Sequence, residues 1–163
     1  MSEKQPRTNA QPQAVAPMVI PGSGNRNVKR LPYDQHGKRD WSFGLCSSCG
    51  ECSKCCLACW CPALAHAQNR RRVNYLNAHG VPDPERDRIC GIESLPYALL
   101  EACCHMGWIL QVGTRQDIRE RYNIDGGGVS DCCTAYLCHS CDLVQGSREL
   151  QLEEESFGLG PTR

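Results

Sequence analysis

Aliphatic side chains are scarce in this chain. Leu, Ile, Val and Phe together make 30 of 163 residues, a share of about 18%, which is thin for a large apolar core. An excess of charge of one sign is also missing. Lys+Arg and Asp+Glu are 18 each, for a formal net charge of zero. A nucleic-acid-binding domain is expected to be basic, so nucleic acid is not an expected partner. Long apolar runs are lacking too. In the cysteine-rich part, the two longest stretches without Asp, Glu, Lys or Arg are residues 55–69 (15 residues) and 102–114 (13 residues). A bilayer span needs about 20 mainly apolar residues, so both suit a buried helix or an interfacial segment. The opening MSEKQPRTNAQPQAV has no apolar core of a secretory signal. The ends, MSEK and GPTR, carry no myristoylation or prenylation signal.

Cysteine, by contrast, is abundant: 14 of 163 residues. A chain poor in aliphatics is expected to need staples, which can be disulfides, metals or a partner surface. Without a secretory signal the expected compartment is reducing, which disfavours a disulfide framework. Metal ligation, redox chemistry, acylation and simple burial then remain for the thiols.

All 14 cysteines fall within residues 41–150. Residues 1–40 hold five of the ten prolines, and residues 151–163 carry an acidic run at Glu153, Glu154 and Glu155. Neither end has the apolar content to offset ordering entropy. The expected organisation is a disordered tail over 1–40, a cysteine-rich domain over 41–150 and a second tail over 151–163, with the acidic run solvated.

Within the domain, Trp41 and Phe43 are two aromatics to bury. Residues 46–61 are rich in Cys, Ser and Gly, which predicts compact loops. Pro62 suits the first turn of a helix over PALAHAQNRRRVNYL. Of Arg70, Arg71 and Arg72, at least two must meet solvent or a polar partner; anionic lipid is one such partner. Residues 77–92 read as a loop. Residues 95–121 are helical, with Leu99, Cys103, Met106 and Leu110 at helical spacing and a break at Gly113. A last helix starts near Ser130 or Asp131 and runs to about Gln151. The fold class is therefore mainly α: a small cysteine-rich helical domain with an irregular cysteine-rich start, open to stabilisation by metal.

Two clusters carry chemistry. The first is Cys46, Cys49, Cys52, Cys55, Cys56, Cys59 and Cys61; the second is Cys138, His139 and Cys141, preceded by Cys132 and Cys133. A Cys-x-x-Cys step lets one turn put two thiolates on a tetrahedral ion. One such step early and one late is the arithmetic of a closed four-thiolate site. Soft thiolates favour zinc or cadmium over magnesium or calcium. The alternatives are buried thiols, which is the expectation for Cys103 and Cys104, and S-acylation beside a membrane-facing helix. A thioredoxin-like role lacks its strand-helix-strand setting. His66 and His105 read as helix-face or core residues, and His139 as an awkward ligand.

The string DWSFGLCSSCGECSKCCLACWCP, then IRERYNIDGGGVSD and LCHSCDLVQGSREL, resembles the placenta-specific-8 domain family over residues 41–150. Trp41 and Gly44 match its first block, as do Cys46 or Cys49, then Cys52 and Cys55. Cys55, Cys56, Cys61 and Pro62 match its hallmark, with Ala63 where that hallmark ends in Cys. Arg119, Arg121, Tyr122, Ile124, Gly126 and Asp131 match the middle block. Cys138, Cys141, Gln145, Arg148 and Glu149 match the last. The resemblance implies a non-enzymatic module at the cytoplasmic face of the plasma membrane, or in the cytoplasm, linked to zinc or cadmium tolerance and organ size. Taken with the clusters, it gives a leading zinc ligand set of Cys55, Cys61, Cys138 and Cys141. Cys46, Cys49 and Cys52 are left for exchange or a second site. A membrane surface is the expected partner, with a homo-oligomer open. A cytosolic interaction scaffold with purely structural thiols is the alternative.

Overall fold

The computed structural model describes residues 24–46, 50–86, 88 and 91–158. Among these residues there are six α-helices: α1 Cys52–Trp60, α2 Pro62–His79, α3 Leu95–Cys104, α4 Trp108–Tyr122, α5 Gly128–Leu137 and α6 His139–Glu155. A parallel bridge pairs Arg39 with Ile124. The mainly α reading holds.

Local chemistry explains most boundaries. Pro62 opens α2, where its missing N–H loses nothing, and Gly80 ends it at φ 70° with its N–H on the Leu76 carbonyl. The cysteine-rich start is less irregular than expected, since Cys52–Trp60 is helical. The expected break at Gly113 is absent, because Gly113 lies inside α4. The chain breaks earlier: His105 is left-handed at φ 53°, and the Met106 N–H returns to the Leu100 carbonyl at 3.3 Å. The last expected helix is divided at Cys138 (φ −138°, ψ 51°) into α5 and α6.

Three long helices, α2, α4 and α6, lie side by side and point the same way. Asn69 donates to the Leu143 carbonyl at 2.8 Å, and Arg72 reaches Glu154. His66 meets Leu110 and Thr114. Arg115 reaches Asp142, while Arg121 reaches Glu153. Early residues pair with early residues and late with late, so the three N-termini share one end. The shorter α1 and α5 run the opposite way. Lys54 contacts Gln151 while Ala58 meets Ser140. Asp131 pairs with Arg115 and Arg119 while Tyr136 packs on Trp108.

The apolar core is as thin as the composition implies. One cluster is Val73, Leu76, Ile118, Tyr122, Ile124 and Leu150, with Trp41 against it. The other is Ala58, Ala65, Leu143 and Val144, with Leu57 against it. Charged pairs occupy much of the remaining interior. Arg39 binds Glu149 at 2.6 Å, Arg72 forks onto Glu154, and Arg121 forks onto Glu153. Arg115 and Arg119 share Asp131, and Arg115 also holds Asp142. The acidic run is thus not solvated: Glu153 and Glu154 are buried because Arg121 and Arg72 neutralise them. The packed unit also extends beyond residues 41–150. Arg39 is buried, Asn25 donates its N–H to Ser156 Oγ at 2.7 Å, and α6 continues to Glu155. The tail expectation for residues 1–23 and 159–163 lies outside the described residues. Arg115 stacks over Trp41, and Phe43 lies between Lys29 and Arg148.

The Tyr122 hydroxyl donates to Glu153 Oε2 at 2.7 Å in this interior. A buried hydrogen bond to a charged group contributes about 2 kcal/mol. Tyr122→Phe is expected to lower stability by about that much, read as a reduced urea midpoint with an unchanged slope.

Candidate functional site

Because α2, α4 and α6 are parallel, the three tight junctions that precede them share one end of the bundle. These are Cys61 between α1 and α2, residues 105–107 between α3 and α4, and Cys138 between α5 and α6. Contacts tie the junctions together. Ser140 Oγ donates to the Ala58 carbonyl at 3.3 Å, joining the α5–α6 junction to the α1–α2 junction. Gln111 donates to the His139 carbonyl at 3.3 Å, joining α4 to α6. The His66 ring packs on Tyr97 at 4.9 Å between centroids, joining α2 to α3. Trp108 meets Tyr136 edge-on at 5.6 Å, joining α4 to α5.

Each junction lies in a charge-free stretch of sequence: residues 55–69, 102–114 and 132–141. Their outward side chains are mostly apolar or carry thiols, with the rings of His105 and His139 exposed among them. Trp60 is 85% exposed, Leu99 66% and Leu137 76%; Met106, Ile109 and Tyr136 are exposed as well. So are Cys56, Cys59, Cys61, Cys103, Cys104 and Cys133. Two expectations are corrected here. Cys103 and Cys104 are not buried thiols, and Leu99, Cys103 and Met106 do not face the core. The helical spacing is real, but α3 turns its other side inward. Tyr97 and Glu101 close against Gly107, whose N–H donates to Glu101 at 3.1 Å. The apolar stripe is thereby left facing out.

Beneath this surface lies a polar layer. His66, Asn69, Gln111, Thr114, Arg115 and Asp142 help line a cavity of about 10 Å³, room for one water. Burial pushes His66 down to a pKa of about 4, so its ring is neutral at pH 7. Burial pushes Asp142 up to about 6, against the opposing pull of Arg115.

The expected metal ligands fall in three groups. Cys61, Cys138 and Cys141 lie beside the Ala58–Ser140 contact, as does Cys59 from outside the expected set, so the early and late clusters are neighbours. Cys52 and Cys55 lie farther back along α1, Cys46 lies ahead of it, and Cys49 is outside the described residues. Among the described residues no three Cys, His, Asp or Glu side chains converge as an ion would require. The described cysteines form no disulfide. The described cysteines alone therefore form no preassembled four-thiolate centre. No helix among the described residues is long and apolar enough to cross a membrane.

A bundle of this kind, with charge inside and thiols at one end, belongs to the cysteine-rich helical class. Residues 41–149 match the model of the PLAC8 family, and the chain belongs to that family. It is similar to Protein PLANT CADMIUM RESISTANCE 2 of Arabidopsis thaliana, with 29% identity over 82% of this chain and 81% of that relative. Cell number regulator 7 of Zea mays is 32% identical over 90% of this chain and 79% of its own length. Protein PLANT CADMIUM RESISTANCE 1 of Arabidopsis thaliana is 26% identical over 80% of each. No solved structure matches the chain.

The residues that carry the family resemblance divide by role. Arg119, Arg121, Tyr122, Asp131, Gln145 and Glu149 are interior frame, held by the buried ion pairs and hydrogen bonds above. Sequence reasoning does not single out Trp60, Leu99, Ile109, Tyr136 and Leu137 as surface residues. The signal that could find them is charge-free sequence around each helix break, a pattern that apolar helix periodicity masks.

Proposed function

We propose that this chain is a non-catalytic module that rests on a membrane surface through its three-junction end. The observation that supports this is the inverted distribution of side chains. Charges are packed inside the bundle, while Trp60, Leu99, Met106, Ile109 and Leu137 face out from its charge-poor end. An exposed apolar surface of this kind suits contact with lipid or a partner. Insertion to headgroup depth needs no spanning helix. Trp60 and Tyr136 add aromatic groups of the type that favours the membrane interface. The side facing the cytoplasm is the reading consistent with reduced thiols.

Soft divalent cations such as zinc or cadmium are the cargo proposed for the thiols at that end. Support comes from the adjacency of Cys59 and Cys61 to Cys138 and Cys141, and from relatives named for cadmium resistance. Side chains must move together to ligate, so binding is expected to be an added event rather than a condition of folding. A Cys138→Ser/Cys141→Ser chain is expected to keep its helical circular dichroism while losing bound zinc by elemental analysis. Full metal content in that variant, or none in the parent chain, would overturn the metal part.

The membrane part is tested by co-sedimentation with phosphatidylcholine–phosphatidylserine vesicles. Leu99→Glu/Leu137→Glu is expected to weaken binding by at least about tenfold while leaving the melting temperature unchanged, since both side chains are exposed. Equal sedimentation of both proteins would overturn the proposal. So would recovery of the parent as a lipid-independent dimer sealed through this end.

A further inference from the structure

We infer that Cys103 and Cys104 are acceptors for long-chain S-acylation. The inference rests on the membrane reading above and deepens it. Helix α3 is turned inside out: Leu95, Ala98, Leu99 and Ala102 are exposed, and Cys103 follows on the same side as Leu95 and Leu99 at four-residue spacing. Met106 and Ile109 continue the apolar surface past the turn. An acceptor thiol must be reachable at the lipid boundary, and both thiols of this pair are exposed. The other described cysteine pairs differ. Cys55 is half-buried beside Cys56, and Cys132 is half-buried beside Cys133.

The residues around the pair fit the product as well as the reaction. The 102–114 stretch carries no formal charge from Asp, Glu, Lys or Arg, so an acyl chain leaving Cys103 or Cys104 lies along apolar surface. The donor is a long-chain acyl-coenzyme A thioester. The cysteine sulfur attacks its carbonyl carbon and the new carbon–sulfur bond forms. The bond to the coenzyme A sulfur breaks, and coenzyme A leaves as the thiol with the proton that the cysteine gives up. No electrons are exchanged, so no oxidant or reductant is needed. One acyl chain anchors a protein weakly and reversibly, while two signals anchor it stably. Two adjacent acceptors beside an apolar face meet that requirement.

The full chain expressed in yeast is treated with N-ethylmaleimide, then neutral hydroxylamine, then a maleimide–polyethylene glycol tag. The parent is expected to show hydroxylamine-dependent species carrying up to two tags. Cys103→Ser/Cys104→Ser is expected to lose them, and Cys132→Ser/Cys133→Ser to keep them. No hydroxylamine-dependent tag on the parent, or undiminished tagging of Cys103→Ser/Cys104→Ser, would overturn the inference. Unmodified protein made in bacteria is tested on the same phosphatidylcholine–phosphatidylserine vesicles. Vesicle binding without tagging removes the acylation alone. Tagging without vesicle binding removes the apolar-face reading and leaves the acceptor assignment standing.

Discussion

Arg121→Ala is expected to destabilise the chain by about 3–5 kcal/mol, the loss typical of breaking a buried ion pair from one side. Arg121 donates from Nε and Nη2 to the two oxygens of Glu153 at 2.8 and 2.7 Å. Its Nη1 satisfies the Leu76 carbonyl at 3.0 Å and Asn77 Oδ1 at 2.8 Å. Among the described residues, removing the guanidinium leaves the buried Glu153 carboxylate with the Tyr122 hydroxyl as a close donor and Arg26 Nε 3.8 Å away. It also strips a partner from the last turn of α2. Domains of this size have roughly 5–15 kcal/mol in total, so a large share of the stability is expected to go, read as a lower urea midpoint. The check is a double-variant cycle. Arg121→Met with Glu153→Leu is expected to recover part of the loss, because apolar replacement of a whole buried pair is often close to neutral. Recovery should be incomplete, since Tyr122 then lacks its acceptor. A single-variant loss below about 1 kcal/mol would place this pair with exposed surface pairs.

His66→Gln is expected to change how stability depends on pH. The ring sits under the thiol-bearing end with Nε2 near the Leu110 carbonyl at 3.3 Å and Thr114 Oγ1 at 3.1 Å. Burial lowers its pKa from 6.5 to about 4. The unfolded chain therefore binds the extra proton more readily between those values. His66 contributes stability that is full above 6.5 and is lost as pH falls toward 4, by about 3 kcal/mol. Asp142 works in the opposite sense. Its pKa rises from 3.8 to about 6 through burial, so its contribution is full at low pH and is lost as pH rises through 6. The two nearly offset, and the parent should show a shallow profile across this window. The variant removes only the histidine part. Its stability relative to the parent should improve by about 3 kcal/mol between pH 7 and pH 4, read from urea midpoints at each pH. A constant difference would mean the ring is solvated.

Cysteine count, scarce aliphatics and Pro62 make a small helical, cysteine-rich unit legible in the sequence, and the family blocks are legible too. The helix that Pro62 opens runs to His79, three residues past the stretch its pattern marks. Other elements are not legible. Residues 95–121 break at His105 rather than Gly113, because a left-handed turn with a returning Met106 N–H outweighs a glycine that a helix tolerates. Glu153 and Glu154 read as solvated because an acidic run has no local partner. Their partners, Arg121 and Arg72, lie 32 and 82 residues away along the chain.

The sequence by itself determined helical class, family membership and the places where charge is absent. It also supplied every group that the buried ion pairs use. Which face of each helix turned inward was decided by the tertiary structure. Periodicity marks an apolar stripe without stating what lies opposite it. In α3 the bundle took Tyr97 and left Leu99 and Cys103 outside. Whether two cysteine clusters approach each other was likewise a matter of helix direction. The parallel run of α2, α4 and α6 gathers three junctions at one end, because charged side chains on each helix find their counter-ions only in that register.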